Sequence, residues 1–424
     1  MNKRVLIPAL VMAAAAVGWL VCHYVGVPIR QALFRGNPIR VGVLHSLSGT
    51  MSISETAVVD ATLLAVEELN EQGGVLGRRV EAVVADGHSD WPTFAREAER
   101  LIVQEKVSVV FGCWTSASRK TVKPIFEKHG HLLFYPVQYE GLEQSKNIVY
   151  TGAAPNQQII PAVKWCFDNL GKRFFLVGSD YVFPRTANAI IKDQLAALRG
   201  TVVGEAYILL GSSEVKEVVR QIVQARPEVI LNTINGDTNV AFFRELRAAG
   251  ITPEKAPTMS FSVAECELQI LGVQNMVGDY ACWNYFQSLD SEENRRFVQR
   301  FRRKYGPHRV TDDPMEAAYL GVHLWSQAVA EAGTDEVSRV RKAVANQTVR
   351  APEGMVYTNA ENNHTWKTVR IGKIQADGQF AVVWSSEKPV RPVPYPVYRS
   401  ASEWEKFLTE LYENWGKQWA NPGK

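Results

Sequence analysis

From residue 39 onward, short apolar runs alternate with segments whose apolar residues return every three or four positions, the rhythm of strand followed by helix. Residues 39–44 read as a strand. Residues 54–70 then place Val58, Val59, Leu63, Val66 and Leu69 on one helical face and stop at Gly73-Gly74, where glycine tolerates the left-handed conformation that ends helices. Strands over 80–85, 107–111 and 132–135 alternate with helices over 91–104 and 118–128. This alternation predicts a parallel sheet covered by helices. The pattern restarts after 153–157, with helices 159–170, 185–198, 215–225 and 239–249 set between strands 174–178, 202–209, 229–232 and 279–283. The chain thus writes two α/β sheets in series. Helices 291–304, 315–332 and 336–345 have no strands between them and are expected to pack back on the first sheet. The tail changes character. Strands 369–375 and 379–384 flank Asp377-Gly378, a hairpin signal, and Pro389, Pro392, Pro394 and Pro396 space a stiff stretch before a last helix. Ser402 and Glu405 give that helix a predicted capping box.

Composition narrows the classes. The 424 residues are 46% hydrophobic and 21% charged, with a net charge of +3, which excludes disordered, collagen-like and coiled-coil chains. A length of this size suggests about two or three domains. No basic cluster of the kind nucleic acid requires is present. At the N-terminus, Lys3 and Arg4 precede an uncharged, mostly apolar run over 5–22, slightly short of the roughly 20 residues that span a bilayer. It reads as an export signal. The residues after it hold no small-x-small site, so an uncleaved anchor stands ahead of a cleaved signal, and the residues before Cys22 fit a lipoprotein site poorly. Cys113, Cys166, Cys266 and Cys282 have apolar neighbours and read as small buried hydrophobes.

Candidate chemistry lies where strands end, since open parallel sheets bind ligands at the carboxyl ends of their strands. His45, Ser46, Ser48 and Gly49 follow the first strand; Cys113, Trp114, Thr115 and Ser116 the third; Pro136 to Tyr139 the fourth. In the second half, Ser179-Asp180-Tyr181 and Asn235-Gly236-Asp237 take these places. These are hydroxyls, amides and rings rather than a charged clamp. The eight histidines form no metal motif, and His129 with His131 reads as an exposed turn. Neither a nucleophile elbow nor a nucleotide-binding glycine loop occurs, so no catalytic residue, metal or cofactor is expected. Glu316 with Tyr319 reads as a surface pair and Arg119-Lys120 as solvated charge. Asp237 reads equally well as the cap of the following helix.

Taken together, the strings over 43–51, 111–116, 134–141, 151–157, 180–185 and 233–237 resemble the urea-binding proteins of ABC transporters, within the type I periplasmic binding proteins that also serve branched-chain amino acids and short-chain amides. The resemblance covers residues 39–400. It implies two lobes, each a mainly parallel sheet flanked by helices, joined by three crossovers and closing on a small ligand. Residues 38–156 with 286–350 would form the first lobe, 157–285 with 351–400 the second, 1–37 a signal or anchor with a linker, and 401–424 a C-terminal helix and tail. Trp114, Thr115, Ser116 and Tyr135 would line the first lobe's side of the pocket; Tyr181, Phe183, Asn235, Gly236 and Asp237 would line the other. Urea or a small amide is the implied ligand and an inner-membrane ABC permease the implied partner, in the periplasm. The position two after Tyr135, which bears a hydroxyl in the amino acid carriers, is Val137. The leader departs from the family pattern. It leaves open a membrane-anchored urea or amide receptor, alongside an amide or branched-chain amino acid carrier and an amide hydrolase on the same scaffold.

Overall fold

The computed structural model describes residues 34–423, so the apolar run over 5–22 lies outside the described residues. The first sheet runs β2 (Val80–Asp86), β1 (Ile39–His45), β3 (Val110–Gly112), β4 (Leu133–Tyr135), β5 (Ile148–Tyr150), every pair parallel. Its central strands are buried along nearly their whole length because helices cover both faces. Helix α1 (Ser52–Glu71), α2 (Trp91–Val103) and α3 (Ser116–Lys128) come from this first stretch of chain.

The second sheet has seven strands. In order they are β15 (Phe380–Ser385), β14 (Arg370–Ile374), β10 (Tyr280–Trp283), β9 (Thr258–Ser260), β8 (Val229–Thr233), β6 (Arg173–Ser179) and β7 (Thr201–Ile208). The β7 to β10 side is parallel, while β14 and β15 add antiparallel edges through the Asp377-Gly378 hairpin. Its helices are α4 (Ile159–Asn169), α5 (Val182–Leu198), α6 (Lys216–Ala225), α7 (Thr238–Ala248) and α8 (Glu265–Leu271). Helix α9 (Glu292–Tyr305) and α10 (Asp313–Ala332) return to the first lobe, where α10 packs along α1 and across β3 and β4. After α11 (Val337–Ala343), a small antiparallel sheet follows, β11 (Thr348–Ala351), β12 (Gly354–Thr358) and β13 (Thr365–Trp366). The chain therefore passes between lobes three times. One side chain ties the passages together: Asn284 Nδ2 donates to the carbonyl oxygens of Gln157 (3.1 Å) and Thr368 (3.2 Å).

Three features depart from the sequence expectation. The short strands β5 and β9 and the small sheet carry too few residues for periodicity to register. The last helix, α12 (Ala401–Asn414), is boxed by Ser400 and Glu403, two residues before the expected Ser402 and Glu405. His131 is buried with Nε2 2.8 Å from the Val107 carbonyl, not exposed.

Beyond α12 the chain crosses back over the lobes. Val182 N–H donates to the Trp419 carbonyl (2.9 Å), Asn421 N–H to the Asp180 carbonyl (3.0 Å), and Asn421 Nδ2 to Asp180 Oδ2 (2.7 Å). Trp419 meanwhile lies 5.0 Å from Lys120 Nζ of the first lobe. Tyr412, Lys417, Gln418 and Trp419 face Trp91, Pro92, Lys120 and Thr121 across a cavity of about 350 Å³. The tail thus spans the mouth between α3 and α5.

Candidate functional site

The first lobe presents its strand ends to the second. At the end of β3, Gly112 passes so close to β1 that a Cβ would stand 2.3 Å from the Leu44 carbonyl oxygen, so only glycine fits. Cys113 then takes a left-handed conformation (φ 68°), unfavourable for a side-chain-bearing residue, and turns the chain into Trp114 and Thr115. Thr115 Oγ1 caps α3 by accepting from Ser118 N–H at 3.0 Å. The Tyr135 hydroxyl donates to the Trp114 carbonyl (2.6 Å) and fixes that turn from the neighbouring strand.

Behind this turn is a buried ionic network. Ser116 Oγ donates to Glu140 Oε2 and accepts from Arg119 Nη1 at 3.0 Å. Arg119 donates from Nη2 to Glu140 Oε1 (3.2 Å) and from Nε to Glu143 Oε1 (2.9 Å). Lys120 Nζ and the Tyr150 hydroxyl also donate to Glu143, at 3.2 and 2.9 Å. Its guanidinium lies over the Tyr135 and Tyr139 rings. Burial alone would raise the Glu143 carboxyl, but Arg119, Lys120 and Lys123 outweigh it and hold it well below the usual carboxylate range. Arg119 is therefore not solvated charge but the fully buried centre of the network. Glu316 is likewise buried, not part of a surface pair, and its carboxyl is pushed up by burial and by Glu353.

A second polar pair stands at the end of β1. His45 Nδ1 is 2.9 Å from Glu55 Oε2, the same oxygen that accepts from Ser46 N–H at 2.9 Å. Both side chains are buried. Burial, and then Glu55, push the neighbouring Cys113 thiol far up. All four described cysteines are buried and unbridged.

The second lobe brings Tyr181 and Phe183, buried with ring centroids 6.3 Å apart, to the start of α5. They pack in one cluster with Ala117 of the first lobe's α3. Burial comes first in raising the Tyr181 hydroxyl, followed by Tyr135, Glu140 and, further down, Glu55 of the first lobe. Asn235 is buried and holds the Thr233 carbonyl through Nδ2 (3.1 Å), with its own N–H on Ser179 Oγ (3.0 Å). Gly236 (φ 68°) lets the loop turn against Thr50. Asp237 is exposed, and instead of capping α7 it accepts from the Thr50 hydroxyl across the cleft. Ser54 Oγ also crosses, donating to Glu267 Oε1 at 2.6 Å, and Gln138 Nε2 donates to the Phe261 carbonyl at 2.7 Å. The lobes are closed on one another.

The nine residues singled out in the sequence divide accordingly. Trp114 and Thr115 lie in the turn after β3, Ser116 begins α3 and Tyr135 ends β4; Tyr181 and Phe183 stand at the start of α5, and Asn235, Gly236 and Asp237 lie in the loop before α7, where Gly236 and Asp237 meet Thr50. Glu55, Glu140 and Glu267 were missed. Glu140 and Glu267 have partners far along the chain or in the other lobe, Glu55 bonds His45 ten positions earlier, and only Glu140, inside the 134–141 string, had a signal near it. Among the described residues no group of three or more His, Cys, Asp or Glu is placed to hold a metal ion, and no helix is long and apolar enough to cross a membrane.

Two α/β lobes joined by three crossovers meet at polar and aromatic strand ends. Residues 39–401 match the model of the periplasmic binding protein domain. The chain belongs to that family. It is 23% identical over 351 residues to Leu/Ile/Val-binding protein homolog 6 of Brucella melitensis, covering 79% of this chain and 87% of that protein. A solute binding protein of an ABC transporter from Rhodopseudomonas palustris, solved with p-hydroxybenzoic acid, superposes with a TM-score of 0.76 at 22% identity, over 84% of this chain and 98% of that one. The branched-chain amino acid transporter substrate binding protein of Streptococcus pneumoniae, solved with isoleucine, gives 0.71 at 20% identity, over 84% and 100%. Limonene hydroxylase of Geobacillus stearothermophilus is 34% identical over 154 residues, which is 36% of this chain and 28% of that enzyme. The chain thus spans little more than a quarter of that relative.

Proposed function

We propose that this protein captures urea or a short-chain amide in the cleft and presents it, unaltered, to an ABC-type membrane permease in the periplasm. The observation that carries the reading is the spent state of the groups that would hold a ligand carboxylate. Arg119 is divided between Glu140 and Glu143, Ser116 Oγ gives its proton to Glu140, and Thr115 is engaged with Ser118. Val137, buried beside them, offers no hydroxyl. A carboxylate would meet no free cation here and would face Glu140. A neutral planar amide avoids that repulsion, and among the buried rings Trp114, Tyr181 and Phe183 an N–H left without a partner would cost about 1–3 kcal/mol and so set selectivity. Similarity to the Leu/Ile/Val-binding homologue favours a second reading, branched-chain amino acid binding.

Isothermal titration of the full chain with urea, acetamide, formamide, leucine and 4-hydroxybenzoate separates the two. Heat from urea or an amide with none from leucine supports the first reading. Heat from leucine or the benzoate alone replaces the ligand and leaves the family untouched.

A further inference from the structure

Three buried polar atoms at the first lobe's strand ends lack any hydrogen-bond partner among the described residues: His45 Nε2, Glu55 Oε1 and Trp114 Nε1. His45 and Glu55 are bonded to one another, and Trp114 lies on the chain that leaves the adjacent strand. His45 ends β1, Trp114 follows β3, the strand paired with β1, and Glu55 stands in the first turn of α1. Their side chains are nearly or wholly excluded from solvent. Unpartnered buried polar groups are costly, and several at one strand-end crevice indicate a missing partner.

The bonds already made fix what that partner must offer. Glu55 Oε2 is occupied twice, by His45 Nδ1 and by Ser46 N–H. A carboxylate has no proton to give, so Nδ1 carries the hydrogen, and in the neutral ring Nε2 is an acceptor. Glu55 Oε1 is an acceptor as well, and Trp114 Nε1 is solely a donor. With His45 neutral, these strand ends therefore carry two unpartnered acceptors and one unpartnered donor. Urea and primary amides are the complement, with N–H groups beside one carbonyl oxygen.

We propose that Glu55, positioned by His45, is the specificity-determining acceptor of the cleft, taking an N–H of the ligand on Oε1 while Trp114 Nε1 donates to the ligand's carbonyl oxygen. This rests on the amide reading above. The same carboxylate disfavours acids of the kind bound by the structural neighbours, because among the described residues no Lys or Arg pairs with Glu55 and its one ion-pair partner is the His45 ring.

The test compares wild type with Glu55→Gln and Trp114→Phe in the full chain, titrated with urea, acetamide, leucine and 4-hydroxybenzoate. Glutamine has one oxygen, which must stay on His45 and Ser46, so it turns an N–H toward the ligand. Affinity for urea or acetamide is expected to fall at least tenfold in Glu55→Gln, with selectivity over the two acids reduced. Trp114→Phe, which keeps a ring and removes the donor, is expected to weaken the same ligand without gaining an acid. Melting curves identify a variant that has failed to fold, in which case the other decides. Unchanged amide affinity in a folded Glu55→Gln protein would overturn the assignment while the amide reading stands. Binding of acids alone by wild type would overturn both.

Discussion

Removing the Arg119 guanidinium would leave Glu140 and Glu143 buried with Lys120 as their nearest cation. Breaking a buried ion pair from one side typically costs about 3–5 kcal/mol because the remaining charge stays desolvated. Arg119→Ala is therefore expected to lose about that much in guanidinium chloride unfolding; a loss below about 1 kcal/mol would show that the network relaxes to water. The sequence made Arg119-Lys120 look like ordinary helix-start charge, because the carboxylates that bury it stand 21 and 24 positions later. Glu55 was hidden for a different reason, since its partner His45 is only ten positions away. A carboxylate in the first turn of a helix usually faces water and the helix dipole, and nothing local marks one turned inward onto His45. The aromatic and hydroxyl residues were legible because strand ends predict where a site lies; the charges that tune it were not, because pairing is set by tertiary contact.

Among the elements, α8 and α10 meet through their acids. Asp312 caps α10 by accepting from Met315 N–H at 3.1 Å, and burial, then Glu267 of α8, push its carboxyl up to about 7. Asp313 and the Cys266 thiol are its other polar neighbours, and Glu267 is itself raised by burial. A folded value above the ordinary 3.8 means that the proton is held more tightly in the native state. That contribution is complete below the ordinary value and is lost as pH rises through about 7. Asp312→Asn keeps an N-cap acceptor and removes the titration. It should melt with wild type only below about pH 4 and increasingly above it from there to about pH 7, beyond which the gap is constant; a constant gap across the whole range would place the proton elsewhere. Long elements such as α1 and α10 were readable from periodicity, whereas β5 and β9, with three residues each, are strands only because neighbours complete their hydrogen bonds.

For the molecule as a whole, closure depends on how near the two loops can approach. A Cβ at Gly236 would stand 3.1 Å from both the carbonyl oxygen and Oγ1 of Thr50 and 3.3 Å from Met51 Sδ, on a backbone with φ 68°. Gly236→Val is thus expected to hold the lobes apart, enlarging the radius of gyration in small-angle scattering and weakening ligand about tenfold, near 1.4 kcal/mol. Unchanged scattering and affinity would mean that the loop yields. The tail across the cleft mouth has an optical consequence. Trp419 is carried by the second lobe's strap yet stands against the Lys120 ammonium of the first, so its emission registers the gap between lobes. Subtracting the spectrum of Trp419→Phe from that of the parent, which has 11 tryptophans, would turn this one indole into a built-in gauge of hinge angle, readable in stopped flow without any attached dye.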